Sequence, residues 1–144
     1  MVIKGNNNFS PLTLDFRLIK MKQLLLVGFG GFIGSIARFL VQKLNLHWHF
    51  LSIPLGTLSV NIFGSLLIGF IIGISSKSEI ISPGMRLFLM VGFCGGFTTF
   101  SSFTAENLNL IQNGQIASVL LYTGLSIFLG FFAVYLGYVL SNLL

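Results

Sequence analysis

The densest chemistry in this sequence lies in one block, Gly92-Phe93-Cys94-Gly95-Gly96-Phe97-Thr98-Thr99-Phe100-Ser101-Ser102-Phe103. A helix-weakening Gly-Gly pair is followed by four hydroxyl residues, in the middle of an otherwise apolar run. Lipid tolerates irregular backbone only where it is buried in protein or lines a cavity. Carbonyls freed at such a break can coordinate a cation, and hydroxyls can donate to an anion. Phe100 and Phe103 stand at i, i+3, with Phe93 and Phe97 on the same side. A phenylalanine stripe is ordinarily packing, but beside a polar break its ring edges carry the positive end of the quadrupole.

A second set lies upstream. Thr57, Asn61 and Ser65 fall at i, i+4 and i+8 and so share one helix face. Threonine and serine can bond back to their own helix. The Asn61 amide, with two donors and two acceptors, needs a partner helix or a polar path. Spacing alone does not choose between them. Tyr122 and Ser126, again i and i+4, extend a hydroxyl track or sit as interfacial residues.

Other constellations carry less. Gly28 to Gly34 resembles a dinucleotide fingerprint, but it is one residue too long and lies inside an apolar helix. His47 and His49 lack cysteine or carboxylate partners for a metal. The single Cys94 excludes an internal disulfide.

These residues sit in a chain of 144 residues that is 54% hydrophobic and 8% charged, with mean hydropathy +0.94. A soluble domain is about a quarter charged. Composition therefore excludes a soluble enzyme and a disordered chain, and implies an integral membrane protein. The net charge of +5 fits basic residues at membrane boundaries. Nucleic acid is excluded as a partner, because no basic stripe on a soluble face exists.

Four apolar runs are long enough to span: 24–41, 55–74, 85–110 and 116–140, joined by short loops. The reading is an all-α membrane protein of four transmembrane helices, the third broken near its middle. Residues 1–20 read as a flexible N-terminal extension, and 21–144 as the transmembrane domain. Met21-Lys22 before the first run resembles an alternative start. A signal peptide is disfavoured because no small-x-small site follows and Arg38 stands where cleavage would fall. Gly30-xxx-Gly34 and Gly69-xxx-Gly73 allow close helix approach and are compatible with a tight oligomer.

From Met21 onward the sequence resembles the CrcB, or Fluc, fluoride channels. Three blocks carry the likeness: Gly30 to Phe39, Gly56 to Ser65, and Gly92 to Phe103, the last ending Thr98-Thr99-Phe100-Ser101-Ser102-Phe103. Ser102 stands where threonine is commoner, and the stretch before Met21 is no family feature. The resemblance implies an antiparallel, dual-topology homodimer in the cell's inner (plasma) membrane, with two fluoride pathways. It implies that Asn61, Phe100, Phe103, Ser101, Ser102, Tyr122 and Ser126 line the pathway and that Arg38 sits in the vestibule. It implies a structural Na⁺ shared between subunits on the backbone carbonyls of Gly95 and Thr98, with Glu106 a polar position beside the break. The expected partners are fluoride, the bilayer and a second copy in the opposite orientation, or a paralogous subunit.

Charge distribution bears on orientation. With an even number of spans, Lys22, Lys77 and Arg86 fall on one side and Arg38 and Lys43 on the other, nearly balanced as dual topology requires. Adding Lys4, Arg17 and Lys20 predicts a bias towards termini inside for the long form. The rival function is a small multidrug antiporter, which needs an embedded acid on the first span. That run carries only Arg38. A non-conducting structural subunit leaves the block from Thr98 to Phe103 unexplained.

Overall fold

The computed structural model describes residues 21–44, 49–50, 52–77 and 81–143. The expected extension 1–20, with Lys4, Arg17 and Lys20, lies outside them, as do His47 and Trp48. Four helical segments are long and apolar enough to cross a membrane. The first helix is Met21–Leu44, the second Leu55–Lys77 and the fourth Ile116–Ser141. The third span, Pro83–Gln112, is interrupted. The chain is thus an all-helical, multi-pass membrane protein. Among the described residues the one departure is a two-residue antiparallel pairing, His49–Phe50 with Ile53–Pro54, ahead of the second helix.

The helices outrun the apolar runs of the sequence. The 24 residues of the first helix reach about 36 Å at 1.5 Å per residue. Lys22, Gln23, Gln42 and Lys43 continue the helix past the hydrocarbon, since backbone hydrogen bonding gains from extension into the interface.

The third span begins as a short α-helical turn, Pro83–Arg86, with Ser82 as cap: its Oγ accepts from the Met85 N–H at 3.3 Å. It widens into a π-helix over Leu87–Cys94 and closes as α-helix over Gly95–Phe97. Thr98 and Thr99 are then extended, at φ −80°, ψ 158° and φ −150°, ψ 120°. Helix resumes over Phe100–Gln112. The break is where the span was expected to fail, but the Gly95-Gly96 pair does not make it. Gly95 keeps helical angles, φ −61° and ψ −37°. Glycine at 96 serves contact instead, because a Cβ there would lie 2.5 Å from the Gly31 carbonyl oxygen.

Close approach organises the rest. A Cβ on Gly34 would sit 2.1 Å from the Phe93 carbonyl oxygen, which joins the first span to the third. Gly69 would meet the Val134 carbonyl at 2.0 Å and Gly137 the Leu66 carbonyl at 2.1 Å, which joins the second to the fourth. The small-xxx-small pairs therefore act within one chain. At the end holding the Asn113-Gly114 turn, Ile53, Leu58, Leu110 and Tyr122 form a buried cluster with Phe103 and Leu125 against it. Gly114 takes the left-handed angle, φ 71°, at no Cβ cost.

Basic side chains close the opposite end. Arg86 Nη2 donates to the Ser75 carbonyl at 2.6 Å, and Lys77 Nζ to the Ser141 carbonyl at 3.3 Å. Each cation thus faces the negative end of a helix that lacks donors for its last carbonyls. Arg38 is no boundary charge. It lies within the first helix and donates Nη1 to the Thr98 carbonyl at 3.3 Å. Among the described residues the charges at helix ends are then Lys22, Lys77 and Arg86 against Lys43, less balanced than the sequence count.

Gly34→Val should lower thermal stability in detergent by about 1–3 kcal/mol through overpacking. Gly28→Val, where nothing lies within 4 Å of a Cβ, should leave it nearly unchanged. Equal melting temperatures for the two variants would contradict this packing.

Candidate functional site

The break is held from the second span. Asn61 Oδ1 accepts the Thr99 backbone N–H at 2.8 Å, while Asn61 Nδ2 donates to the Thr99 carbonyl at 3.0 Å. A side-chain amide thereby replaces the helical acceptor of the Thr99 N–H and adds a second donor to the carbonyl that opens the next helix. Thr99 also caps the helix that follows. Its Oγ1 accepts the Ser102 N–H at 3.2 Å and donates to Ser102 Oγ at 3.0 Å, with Ser101 Oγ at 3.3 Å. The helix carrying Phe100 and Phe103 therefore starts from a residue fixed on three groups. Asn61 keeps one N–H of its amide for another acceptor.

The phenylalanines divide into two sets instead of one stripe. Phe93 and Phe97 stack before the break, 5.7 Å apart and 10° from parallel. After it, Phe100 and Phe103 lie 5.7 Å apart at 38°, and Phe103 meets Tyr122 edge-on at 5.0 Å and 60°. The extended Thr98-Thr99 segment ends the helical register that would have aligned them. Phe103 belongs to the packed side, whereas Phe100 is 76% exposed in the single chain. Ser101 is exposed and Ser102 half-buried. Ser126 Oγ is buried and meets no hydrogen-bond partner among the described residues.

A polar cluster lies towards the end of the span. Gln42 Nε2 donates to Thr57 Oγ1 at 3.0 Å, so the one Thr57 proton goes to Glu106 Oε1 at 2.6 Å. Fully buried Tyr122 donates its hydroxyl to Glu106 Oε2 at 2.7 Å. Each carboxylate oxygen has a hydroxyl donor, which is how an ionisable group persists within a membrane span. Alongside, Thr123 donates to Asn107 Oδ1 at 3.3 Å and Asn107 Nδ2 to the Phe103 carbonyl at 3.0 Å.

Sequence reasoning singled out Asn61, Phe103, Tyr122 and Ser126, and the structure gathers Phe103 and Tyr122 directly. It did not single out Thr99 or Gln42, nor the role of Glu106 as hub. Glu106 follows Phe103 at i, i+3, and that helical spacing was the available signal. Gln42 read as the start of a loop.

The Gly95 and Thr98 carbonyls differ. The helical donor for Gly95, the Thr99 N–H, goes to Asn61 instead, which leaves that carbonyl without its i+4 partner. The Thr98 carbonyl already faces the Arg38 guanidinium. No group of three or more histidine, cysteine or acidic residues able to hold a metal occurs among the described residues.

Asn61→Asp keeps the shape but sets oxygen against the Thr99 carbonyl. It should cost about 1–3 kcal/mol of stability, read as a lowered melting temperature in detergent. Ser101→Ala, at an exposed position, should stay within about 0.5 kcal/mol. An Asp variant as stable as the parent would refute the clamp.

The family model described as "CrcB-like protein, Camphor Resistance (CrcB)" matches residues 25–138. A protein of Azobacteroides pseudotrichonymphae named fluoride-specific ion channel FluC is 43% identical over 122 residues, covering 85% of this chain and 98% of its own. One of the same name from Chlorobium phaeobacteroides strain BS1 is 49% identical over 120 residues, covering 83% and 93%. Another, from Flavobacterium psychrophilum, is 39% identical over 122 residues, covering 85% and 98%. Relatives so named are ion channels and not enzymes. Their likeness runs through the helices that carry Asn61, the break and Glu106, and the chain belongs to the CrcB family.

Proposed function

We propose that the protein is a fluoride-selective channel, through which cytoplasmic fluoride leaves passively across the inner (plasma) membrane, reducing its toxicity. One observation carries the reading: an amide fixed at a helix break beside a chain of aromatic edges and hydroxyls, at membrane depth. Relatives named fluoride-specific ion channels support it. Hydrogen fluoride crosses membranes as the neutral acid and dissociates inside, so an open path for the anion suffices for export.

Fluoride is small and tightly hydrated, and stripping its water in a dry medium costs tens of kcal/mol unless donors replace it. The remaining Asn61 N–H, the Ser101, Ser102 and Ser126 hydroxyls and the ring edges of Phe100, Phe103 and Tyr122 are such replacements. None carries a full charge, so an ion is held weakly enough to leave. Arg38, committed to the Thr98 carbonyl, belongs to the vestibule and not to the narrow path. Thr57 and Tyr122 donate to the two oxygens of Glu106, which fixes that group in place among the helices.

Phe100 pairs with Phe103 yet is largely exposed in the single chain, so a path beside it needs a further wall. A second copy in antiparallel orientation, or a paralogous subunit, supplies that wall. A resident Na⁺ at the Gly95 and Thr98 carbonyls meets a mixed fit. The Gly95 oxygen is open to a hard cation, while Thr98 has one lone pair turned to a guanidinium and a second to give. Such an ion would neutralise carbonyl dipoles at the break.

Liposomes loaded with fluoride and holding the purified protein should release fluoride under a gradient and retain chloride. No fluoride release would overturn the reading. Phe100→Ile should lower fluoride flux at least tenfold with assembly unchanged on gel filtration, and unchanged flux would remove Phe100 from the path. Cysteine labelling of long and Met21-initiated forms should find the long form biased to termini inside, and equal mixtures for both would refute that bias.

A further inference from the structure

At the boundary where the first helix starts, three described cations fall on one side of the membrane: Lys22, Lys77 and Arg86. Two are committed to helix ends, Arg86 on the Ser75 carbonyl and Lys77 on the Ser141 carbonyl. Lys22 instead stands at the rim of a groove of about 340 Å³ between the starts of the first and third spans. Leu26, Phe29, Met85 and Phe88 line that groove, with Ser82 and Gly84 at its edge. Phe29 and Phe88 form one wall, their rings 6.3 Å apart and tilted by 35°. Gly84 lets the third span lie close to Leu26, since a Cβ there would sit 3.2 Å from Leu26 Cδ1.

The groove has a direction. Lys22 is the second residue of its helix and lies at headgroup level, whereas Leu26 and Phe29 lie about one and two turns deeper. The Ser82 hydroxyl oxygen already accepts from Met85 N–H. A ligand for this surface must therefore be negative at one end and hydrocarbon along the rest. We propose that the groove binds an anionic phospholipid, with its phosphate on Lys22 and an acyl chain along Leu26, Phe29, Met85 and Phe88. A second copy of the chain is a poorer match. The one carboxylate among the described residues, Glu106, already accepts from Thr57 and Tyr122 and so is not available to a partner's lysine. The site does not depend on which ion the protein conducts.

Native mass spectrometry of the full chain with equimolar phosphatidylglycerol and phosphatidylcholine tests the site. A lysine beside an anionic headgroup corresponds to about a fivefold preference for phosphatidylglycerol. Lys22→Gln should abolish that preference. Lys43→Gln, at the far end of the helix and 6.0 Å over the Phe39 ring, should keep it. The proposal is overturned by no preference in the parent, by its survival in Lys22→Gln, or by equal loss in Lys43→Gln, which would mean diffuse attraction. Displacement of the lipid by millimolar inorganic phosphate would also overturn it, because the acyl chain would then contribute nothing. A photoreactive benzoylphenylalanine at Phe29 should cross-link to phosphatidylglycerol, and cross-linking to a second copy instead would assign the groove to a protein contact.

Discussion

Everything particular about this bundle depends on one exchange of hydrogen bonds. The Asn61 amide pairs with both backbone groups of Thr99 and supplies the acceptor that its N–H lost with the helix. Without it, the Thr99 N–H would be left unsatisfied in the middle of a membrane span, at several kcal/mol. With it, the span can end one helix and begin another, and the new helix can start at an angle its predecessor does not dictate. Phe100 and Phe103 owe their placement to that restart, and the Gly95 carbonyl loses its helical donor for the same reason.

Support for the exchange comes from two directions. The helices are drawn together by glycine, so that Gly34 lies against the Phe93 backbone and Gly69 against Val134. Gly64 in turn lies against the Thr98 side chain, which puts the second span within reach of the break. Near the opposite face, Gln42, Thr57, Tyr122 and Glu106 tie the first, second, third and fourth spans by side-chain hydrogen bonds. Apolar packing sets the distances and a small number of polar groups sets the register. Such a division is expected where lipid removes most of the hydrophobic drive for helices to associate.

Much of this was legible in the residues. Charge scarcity and run length gave four spans, and the run of hydroxyls after Phe97 marked the failing helix. An amide in an apolar run demanded a partner, and Thr99 is that partner. What could not be read was which residue lost its helical angles. Gly-Gly is helix-weakening by propensity, yet Gly95 and Gly96 stay helical because contact with the first span overrides propensity. The π-helix of Leu87–Cys94 left no trace either, since widening a turn depends on neighbours and not on its own apolar side chains. The Gln42 contact was hidden for a simpler reason: the helix continues past the point where hydrophobicity stops. Arg38 was counted with Lys43 among the charges on the far side, but its guanidinium is engaged by the Thr98 carbonyl.

The order of residues in the clamp has a consequence for biogenesis. A chain is made from its N-terminus, so Asn61 emerges before Thr99 and the second span can be in place when the third arrives. The interrupted segment therefore need not wait in hydrocarbon with its backbone bare: its docking point is already built. A circular rearrangement that placed the third span first would reverse this sequence and expose the break during insertion. The same four helices would then face a barrier to assembly that their final contacts do not reveal.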